Sequence, residues 1–276
     1  MNNKDITILI LLYKTPLKLL KNLKTYKSFK ILILDQSNDL NAKKIIKKIL
    51  PNIQYYGTTQ RNNGFAYAQN FLVKKVKTKY FFSTQPDIIL SVKSILNLKK
   101  TIIKFKGDCI ISVPKILGMK YSKIIKKINT KKEYVIKNMI GAAYMSEKKK
   151  FSKIGMFDEN FFFYWEDVDL SHRINKSKYN IFLNCSSLAK HISGTSSKNT
   201  IKTLAIRNIN FKFGEYFFLS KVKKLRLLKV ARQLILNLIY SFFHLLLLKF
   251  KESFKYICYF LGIIKFFIAK FKLYAK

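Results

Sequence analysis

The sequence is short of cysteine, arginine and carboxylates, and each shortage removes a class of explanation. Its three cysteines, Cys109, Cys185 and Cys258, lie far apart. No pair has the spacing of a zinc ligand set, a redox couple or a disulfide framework. They read as reduced structural thiols in a cytosolic setting. Among 54 Lys+Arg residues, only Arg61, Arg173, Arg207, Arg226 and Arg232 are arginine. Nucleic-acid readers use arginine-rich or aromatic-interleaved motifs on one face, and no such module is present. Nucleic acid is therefore not an expected partner, even at a formal net charge of +40. That charge still attracts anions such as nucleotides and acidic lipids. A long apolar run is also missing. Residues 234–248 and 256–269 fall short of the roughly 20 apolar residues of a membrane-crossing helix, and Asn237, His244 and Lys265 interrupt them. The apolar run at residues 6–12 follows Asp5 and precedes no small-residue cleavage site, so it reads as a buried strand rather than a leader.

What is present is enough for a large core: 49% hydrophobic and 15% aromatic residues in a chain of 276 exclude a disordered protein. Short apolar runs at residues 6–13, 30–34, 53–56, 80–83 and 109–113 alternate with amphipathic stretches of helical length. That alternation predicts an α/β fold with a mostly parallel central sheet. In such sheets ligands bind beyond the carboxyl ends of the strands, where Tyr13, Asp35, Asn62-Asn63-Gly64 and Asp87 fall. Residues 121–132 are lysine-rich and read as an exposed loop, 179–183 as a strand, and 189–197 as a polar loop carrying His191. From about residue 204 the composition shifts to alternating basic and apolar segments, which predicts a helical tail. The expected division is 1–203 and 204–276.

Four segments have the residue types of a chemical site. Five of the 14 acidic residues lie between Asp158 and Asp169, around the aromatic run that ends at Trp165. Carboxylates beside large aromatics lose solvent, which raises their pKa toward general-base values. The plainer reading is a helix start, where acids favour the dipole and Asp169 with Arg173 is an i,i+4 pair. In YFFSTQPDIIL, Asp87 follows a strand and a proline and is placed to hold a hard cation, or simply to begin a turn. In RNNGFAYAQN, Gly64 allows a ligand close to the backbone ahead of a helix N-terminus, or caps that helix. In KHISGTSS, His191 is a metal or phosphate ligand, or an incidental polar residue.

Taken in order, these segments resemble family 2 glycosyltransferases of the GT-A fold, particularly the bacterial rhamnosyltransferase-like branch. ITILILLYKTPLKLLKNL is similar to the family's opening strand and helix, and LILDQSND to the motif whose aspartate, here Asp35, contacts the nucleotide base. NNGFAYAQN matches a donor-site motif at Asn63, Gly64, Ala68 and Asn70, and STQPD stands where the family has its metal-binding Asp-x-Asp element. The most specific match is GAAYMSEKKKFSKIGMFDENFFFYWEDVDLSHRI, over residues 141–174. The resemblance implies a nucleotide-diphospho-sugar transferase fold followed by the helical tail. It also implies an inverting transfer of a sugar, with rhamnose suggested by the branch, to a hydroxyl of a cell-surface glycan or lipid-linked precursor. Asp167 maps to the base with Glu166 beside it, and Trp165, Asp169 and Arg173 to an acceptor-side or supporting place, shaping the acceptor site or orienting the base. Tyr13 and Gln85 join the donor site, while Asp87 and His191 hold Mg²⁺ or Mn²⁺.

The match departs from the family at two points. Gln85 replaces the first acidic position of the metal element, which weakens the expected metal dependence, and Gln36 follows Asp35 where Asn is commoner. The Gln85 departure keeps open an inactive, glycosyltransferase-like scaffold at the membrane. For the tail, basic amphipathic helices lying on an anionic bilayer are the leading expectation, ahead of plain packing onto the catalytic domain and of spanning. The expected location is cytoplasmic, at the inner face of the cell membrane. Oligomeric state is open.

Overall fold

The computed structural model describes residues 3–50, 53–58, 62–118, 124–127, 132–192 and 200–274. The chain forms a sheet-bearing unit, Met1–Asn160 with Asp167–Lys198, and a helical unit, Phe161–Glu166 with Asn199–Lys276. The expected boundary at 203/204 falls inside the first long helix of the second unit, and residues 161–166 group with that unit.

The sheet-bearing unit is built outward from β1 (Ile6–Leu12), an apolar run buried on both faces. Parallel neighbours flank it: β2 (Lys30–Asp35), carrying β3 (Ile53–Gly57) beyond it, on one side, and β4 (Tyr80–Thr84) on the other. The registers pair Leu12 with Asp35, Asp35 with Gly57, and Ile10 with Thr84. The carboxyl ends of these strands therefore lie along one edge. Helices α2 (Leu40–Ile49), α3 (Phe65–Lys75) and α4 (Val92–Lys104) make the connections. Asp39 caps α2 by accepting from the Asn41 and Ala42 N–H groups, and Ser91 caps α4 by accepting from Ser94 N–H. Ile8, Ile10, Ile31, Ile33, Phe82, Ile95 and Leu98 belong to the main core. Each contributes about 1.5–3 kcal/mol relative to exposure.

Beyond β4 the sheet is mixed. β9 (Tyr144–Glu147) runs antiparallel to β4 and to β6 (Cys109–Ile116), and β10 (Asn180–His191) is parallel to β6. β8 (Glu133–Ile136) and β7 (Ile124–Lys127) complete the order β3-β2-β1-β4-β9-β6-β10-β8-β7. A three-residue strand, β5 (Ile88–Leu90), pairs antiparallel with the end of β10.

Four local expectations change. The helix after β1 is a single turn, α1 (Leu17–Leu20), followed by a 3₁₀ stretch at Lys21–Tyr26. That stretch directs Asn22 Nδ2 to the Pro86 carbonyl at 2.9 Å and the Tyr26 hydroxyl to the Ile88 carbonyl at 3.2 Å. The lysine-rich segment expected as a loop contains β7, paired with β8, while 119–123 and 128–131 lie outside the described residues. β10 runs to His191, so this histidine sits on a strand and not in a loop; residues 193–197 of its motif lie outside the described residues. Strand β5 was not anticipated, because three residues carry no period.

The helical unit contains α7 (Ile201–Lys221), α8 (Leu227–Leu246) and α9 (Phe250–Tyr274). Thr200 and Thr203 form a capping box at the start of α7. Phe213, Tyr216, Val230, Ile263 and Phe266 make this unit's own core. Among the described residues no helix is long and apolar enough to cross a membrane. Gly262 sets the approach of α9 to α7: a Cβ there would stand 2.5 Å from the Ile209 carbonyl and 2.9 Å from Lys212 Cβ. Gly262→Leu is expected to destabilise the helical unit by about 1–3 kcal/mol through overpacking. Thermal unfolding followed by circular dichroism checks this, with Gly107→Ala as control, because nothing lies within 4 Å of a Cβ at Gly107.

Candidate functional site

The loop after β2 is organised by Asp35. Its carboxylate, fully buried, accepts from Ser37 N–H (2.8 Å), Ser37 Oγ (2.6 Å), Asp39 N–H (2.8 Å) and the Tyr55 hydroxyl (2.7 Å). Burial, then the neighbouring carboxylate, pushes the Tyr55 pKa up and keeps it a donor. Four donors on two carboxylate oxygens fill the usual acceptor positions. In this structure Asp35 shapes the loop, and no open acceptor position of its side chain faces a base. The adjoining residues tie this loop to the end of β1. Gln36 N–H donates to the Leu12 carbonyl at 2.9 Å, and Lys14 N–H donates to Ser37 Oγ at 3.1 Å. Lys14 adopts φ 47° beside half-buried Tyr13.

Gln36 also fixes the entry to α3. Its Oε1 accepts from Asn63 N–H at 2.9 Å and its Nε2 donates to the Gly64 carbonyl at 3.2 Å. A side chain one methylene shorter would reach neither group as readily, which gives the departure from Asn a physical reason. Gly64 has φ 92°, a left-handed conformation that glycine adopts without Cβ strain. Asn63 is exposed at the mouth of α3. Ala68 and Asn70, expected at the donor site, lie inside α3. Ala68 is buried inside the helix packing. The Asn70 amide is committed to structure: it donates to the Phe157 carbonyl and to Glu159, both at 2.9 Å, and accepts from Phe157 N–H at 3.1 Å.

The turn from Gln85 to Ile88 closes with Ile88 N–H donating to the Gln85 carbonyl at 3.0 Å. Gln85 is half-buried there, and Asp87 is buried. Pairing of His191 with Ile88 across β5 and β10 brings His191 Nε2 to 3.4 Å from Asp87 Oδ2. The two expected metal ligands are thus together. His191 Nδ1 has no hydrogen-bond partner among the described residues. No cluster of three or more His, Cys, Asp or Glu side chains exists among the described residues. One carboxylate and one imidazole fit a divalent cation that completes its shell with substrate phosphates and water, which is how Mg²⁺-type sites are commonly built.

The acidic segment divides its carboxylates between different tasks. Asp158 accepts from the Asn160 N–H and side-chain amide, and Glu159 accepts from Asn70. Asp169, buried in α6 (Glu166–Asn175), accepts from Arg173 Nε at 2.9 Å. Arg173 also donates to the Ile154 and Met156 carbonyls at 2.5 and 2.6 Å. It thereby locks the turn after α5 (Lys148–Lys153), where Gly155 has φ 89°. Asp169 and Arg173 thus tie the start of α6 to the turn after α5.

Asp167 differs from these. Gly141 N–H donates to its Oδ2 at 3.1 Å and Val168 N–H to its Oδ1 at 2.8 Å, leaving acceptor capacity on each oxygen. Desolvation pushes its carboxyl above the ordinary 3.8, and these backbone N–H groups pull back against that rise. Asp167 thus lies in the first turn of α6 with a carboxyl that is both desolvated and fixed by backbone N–H groups. Glu166 opens the same helix and is buried. Before it, Tyr164 and Trp165 take φ values of 70° and 73°. Two consecutive non-glycine residues in this region cost about 1–2 kcal/mol each. Packing within the helical unit holds them: the Trp165 ring lies 5.7 Å from that of Phe218, and a Cβ at Gly214 would stand 2.9 Å from Trp165 Cδ1.

Sequence reading missed Gln36, Tyr55 and Gly214 as shapers of these loops. It also missed Gly141, whose N–H reaches the Asp167 carboxylate.

The family model described as Glycosyl transferase family 2 matches residues 11–171. No curated protein matches the chain. The fold is similar to the crystal structure of GalNAc-T7 with UDP, GalNAc and Mn²⁺, with a TM-score of 0.57 at 16% identity, over 77% of this chain and 48% of that one. It is also similar to the mannosyltransferase PcManGT from Pyrobaculum calidifontis in complex with GDP-Man and Mn²⁺, with a TM-score of 0.58 at 10% identity, over 82% of this chain and 66% of that one. The chain spans less than half of the first protein's length and 66% of the second's.

Arg173→Met is expected to cost about 3–5 kcal/mol, because it leaves the buried Asp169 charge without this partner. Chemical denaturation measures the loss. A variant that kept full stability while losing acceptor affinity would return Arg173 to the acceptor side.

Proposed function

This chain belongs to glycosyl transferase family 2, and we propose that it moves a sugar from a nucleotide-diphosphate donor to an acceptor hydroxyl, with inversion. The observation that carries the proposal is Asp167. Of the carboxylates in the acidic segment, it combines a pKa raised by desolvation with backbone-fixed geometry and remaining acceptor capacity. Those are the properties of a general base.

The chain's own residues divide the work. The Gly141 and Val168 N–H groups orient the Asp167 carboxylate. Asp167 takes the proton of the acceptor hydroxyl as that oxygen attacks the anomeric carbon, on the face opposite the leaving diphosphate. The Asn63–Gly64 entry to α3 offers an exposed amide and a helix N-terminus to the donor's anionic groups. The loop after β2 and Tyr13 flank the nucleotide. Asp87 and His191 would hold Mg²⁺ or Mn²⁺, whose chemistry there is neutralisation of charge on the leaving diphosphate. The nucleotides and Mn²⁺ in the two similar structures support a donor and a cation of this kind. For the finer assignment, the resemblance over residues 141–174 supports a rhamnosyl donor and a cell-surface glycan or lipid-linked acceptor at the cytoplasmic side of the membrane.

Asp167→Asn is expected to lower transfer by at least about 10²-fold while nucleoside diphosphate binding, read by thermal shift, is retained. Transfer at near wild-type rate would move the base elsewhere. The sign of the pH effect follows from the raised carboxyl. The base form is lost as pH falls through a value above 3.8, so kcat/KM should fall on an acid limb displaced upward from that of an ordinary aspartate. His191→Ala is expected to remove the extra thermal stabilisation that Mn²⁺ adds to a nucleoside diphosphate, while leaving stabilisation by the nucleotide alone. An unchanged Mn²⁺ increment would take His191 out of the cation site.

A further inference from the structure

Along α8 the packed side turns from apolar to polar after Leu234. The packed side of α8 holds Val230, Leu234, Asn237, Ser241 and His244. Asn237 is fully buried, and its side-chain oxygen accepts from Gln233 at 3.2 Å. Ser241 Oγ donates to the Ser253 carbonyl near the start of α9 at 3.1 Å, and the His244 ring stacks on Tyr256 at 5.4 Å. The opposite side holds Leu228, Ile235, Ile239, Phe242 and Leu246, all exposed. At the helical angle per residue these five fall within about 60° of one another, facing away from the buried polar residues. On α9, Phe250, Ile257, Leu261 and Ile268 are exposed at the same seven- and four-residue spacing.

A helix between a protein core and water shows the reverse order, apolar inward and polar outward. Polar residues on the packed side and an unbroken apolar stripe outside are what a helix shows when its outer medium is apolar. The charges narrow the occupant. Arg226, Lys229 and Arg232 cluster at the start of α8, Lys249 and Lys251 follow its end, and α8 contains no acidic residue. A second copy would set one basic face against another in a chain of net charge +40. An anionic lipid surface complements both the stripe and the flanking charge. Among the described residues neither helix is apolar enough to cross a bilayer, so lying along the interface is the geometry that remains.

We propose that the outer face of the α8–α9 hairpin docks on an anionic lipid bilayer, parallel to its surface. The proposal does not depend on the assigned transfer chemistry. The test is co-sedimentation of the full chain with large unilamellar vesicles, one set of phosphatidylcholine alone and one also containing phosphatidylglycerol. Wild-type protein is expected to pellet with the anionic vesicles and to be released as salt rises. Ile239→Gln combined with Phe242→Gln changes only exposed positions and is expected to weaken partitioning by about tenfold or more, with the nucleotide thermal shift unchanged. Lys229→Glu combined with Arg232→Glu keeps the stripe and is expected to lose the preference for anionic over neutral vesicles. Equal vesicle binding by wild type and the glutamine variant would overturn the proposal. So would a stable lipid-free dimer that the glutamine variant dissociates, since the face would then be covered by a second copy.

Discussion

Three residues of antiparallel pairing hold Asp87 and His191 together. Asp87 and His191 lie far apart in the sequence, on either side of β6, β8 and β9, and neither has meaning as a ligand alone. Pairing of Ile88–Leu90 with the last residues of β10 sets them 3.4 Å apart. The 3₁₀ stretch after β1 secures the same turn from the other side, through Asn22 and Tyr26. A shift of one residue in that short register would turn the His191 side chain to the opposite face. The proposed cation site therefore rests on backbone geometry that a motif does not encode directly.

At the nucleotide end, polar side chains act on the backbone. Asp35 and Gln36 bind N–H and carbonyl groups of their own and neighbouring loops, and these contacts connect β1, β2 and the mouth of α3. Such buried, satisfied groups favour a single loop conformation. The pattern repeats at Asn70 and Arg173, which fasten the segment leading into the acidic helix. Asp167 then holds its carboxylate on the Gly141 and Val168 backbone N–H groups, an arrangement suited to the proposed base.

How much of this was legible depended on the length scale. β1, β2 and α4 declared themselves because long apolar runs and capping residues are local signals. The general-base candidate was legible because carboxylates are rare in this chain and crowd into one segment. The structural ties of Asn70, Asp169 and Arg173 were not legible, because a motif marks which residues recur together and not which backbone groups their side chains bind. β5 was hidden because its three residues pair with a strand far away in sequence. The inward polar face of α8 was hidden because periodicity fixes the angle between two faces and not which of them meets the protein.

The polar stretch on the packed side of α8 has a consequence for how the chain breathes. In water the second half of this helix gains little from the face it packs, where a fully buried asparagine and a serine pair follow the aliphatic Val230 and Leu234. Local opening of α8 should therefore lie well below the free energy needed to expose β1, making the hairpin a separate cooperative unit in hydrogen exchange. Its protection would then report the surrounding medium more faithfully than it reports the stability of the fold.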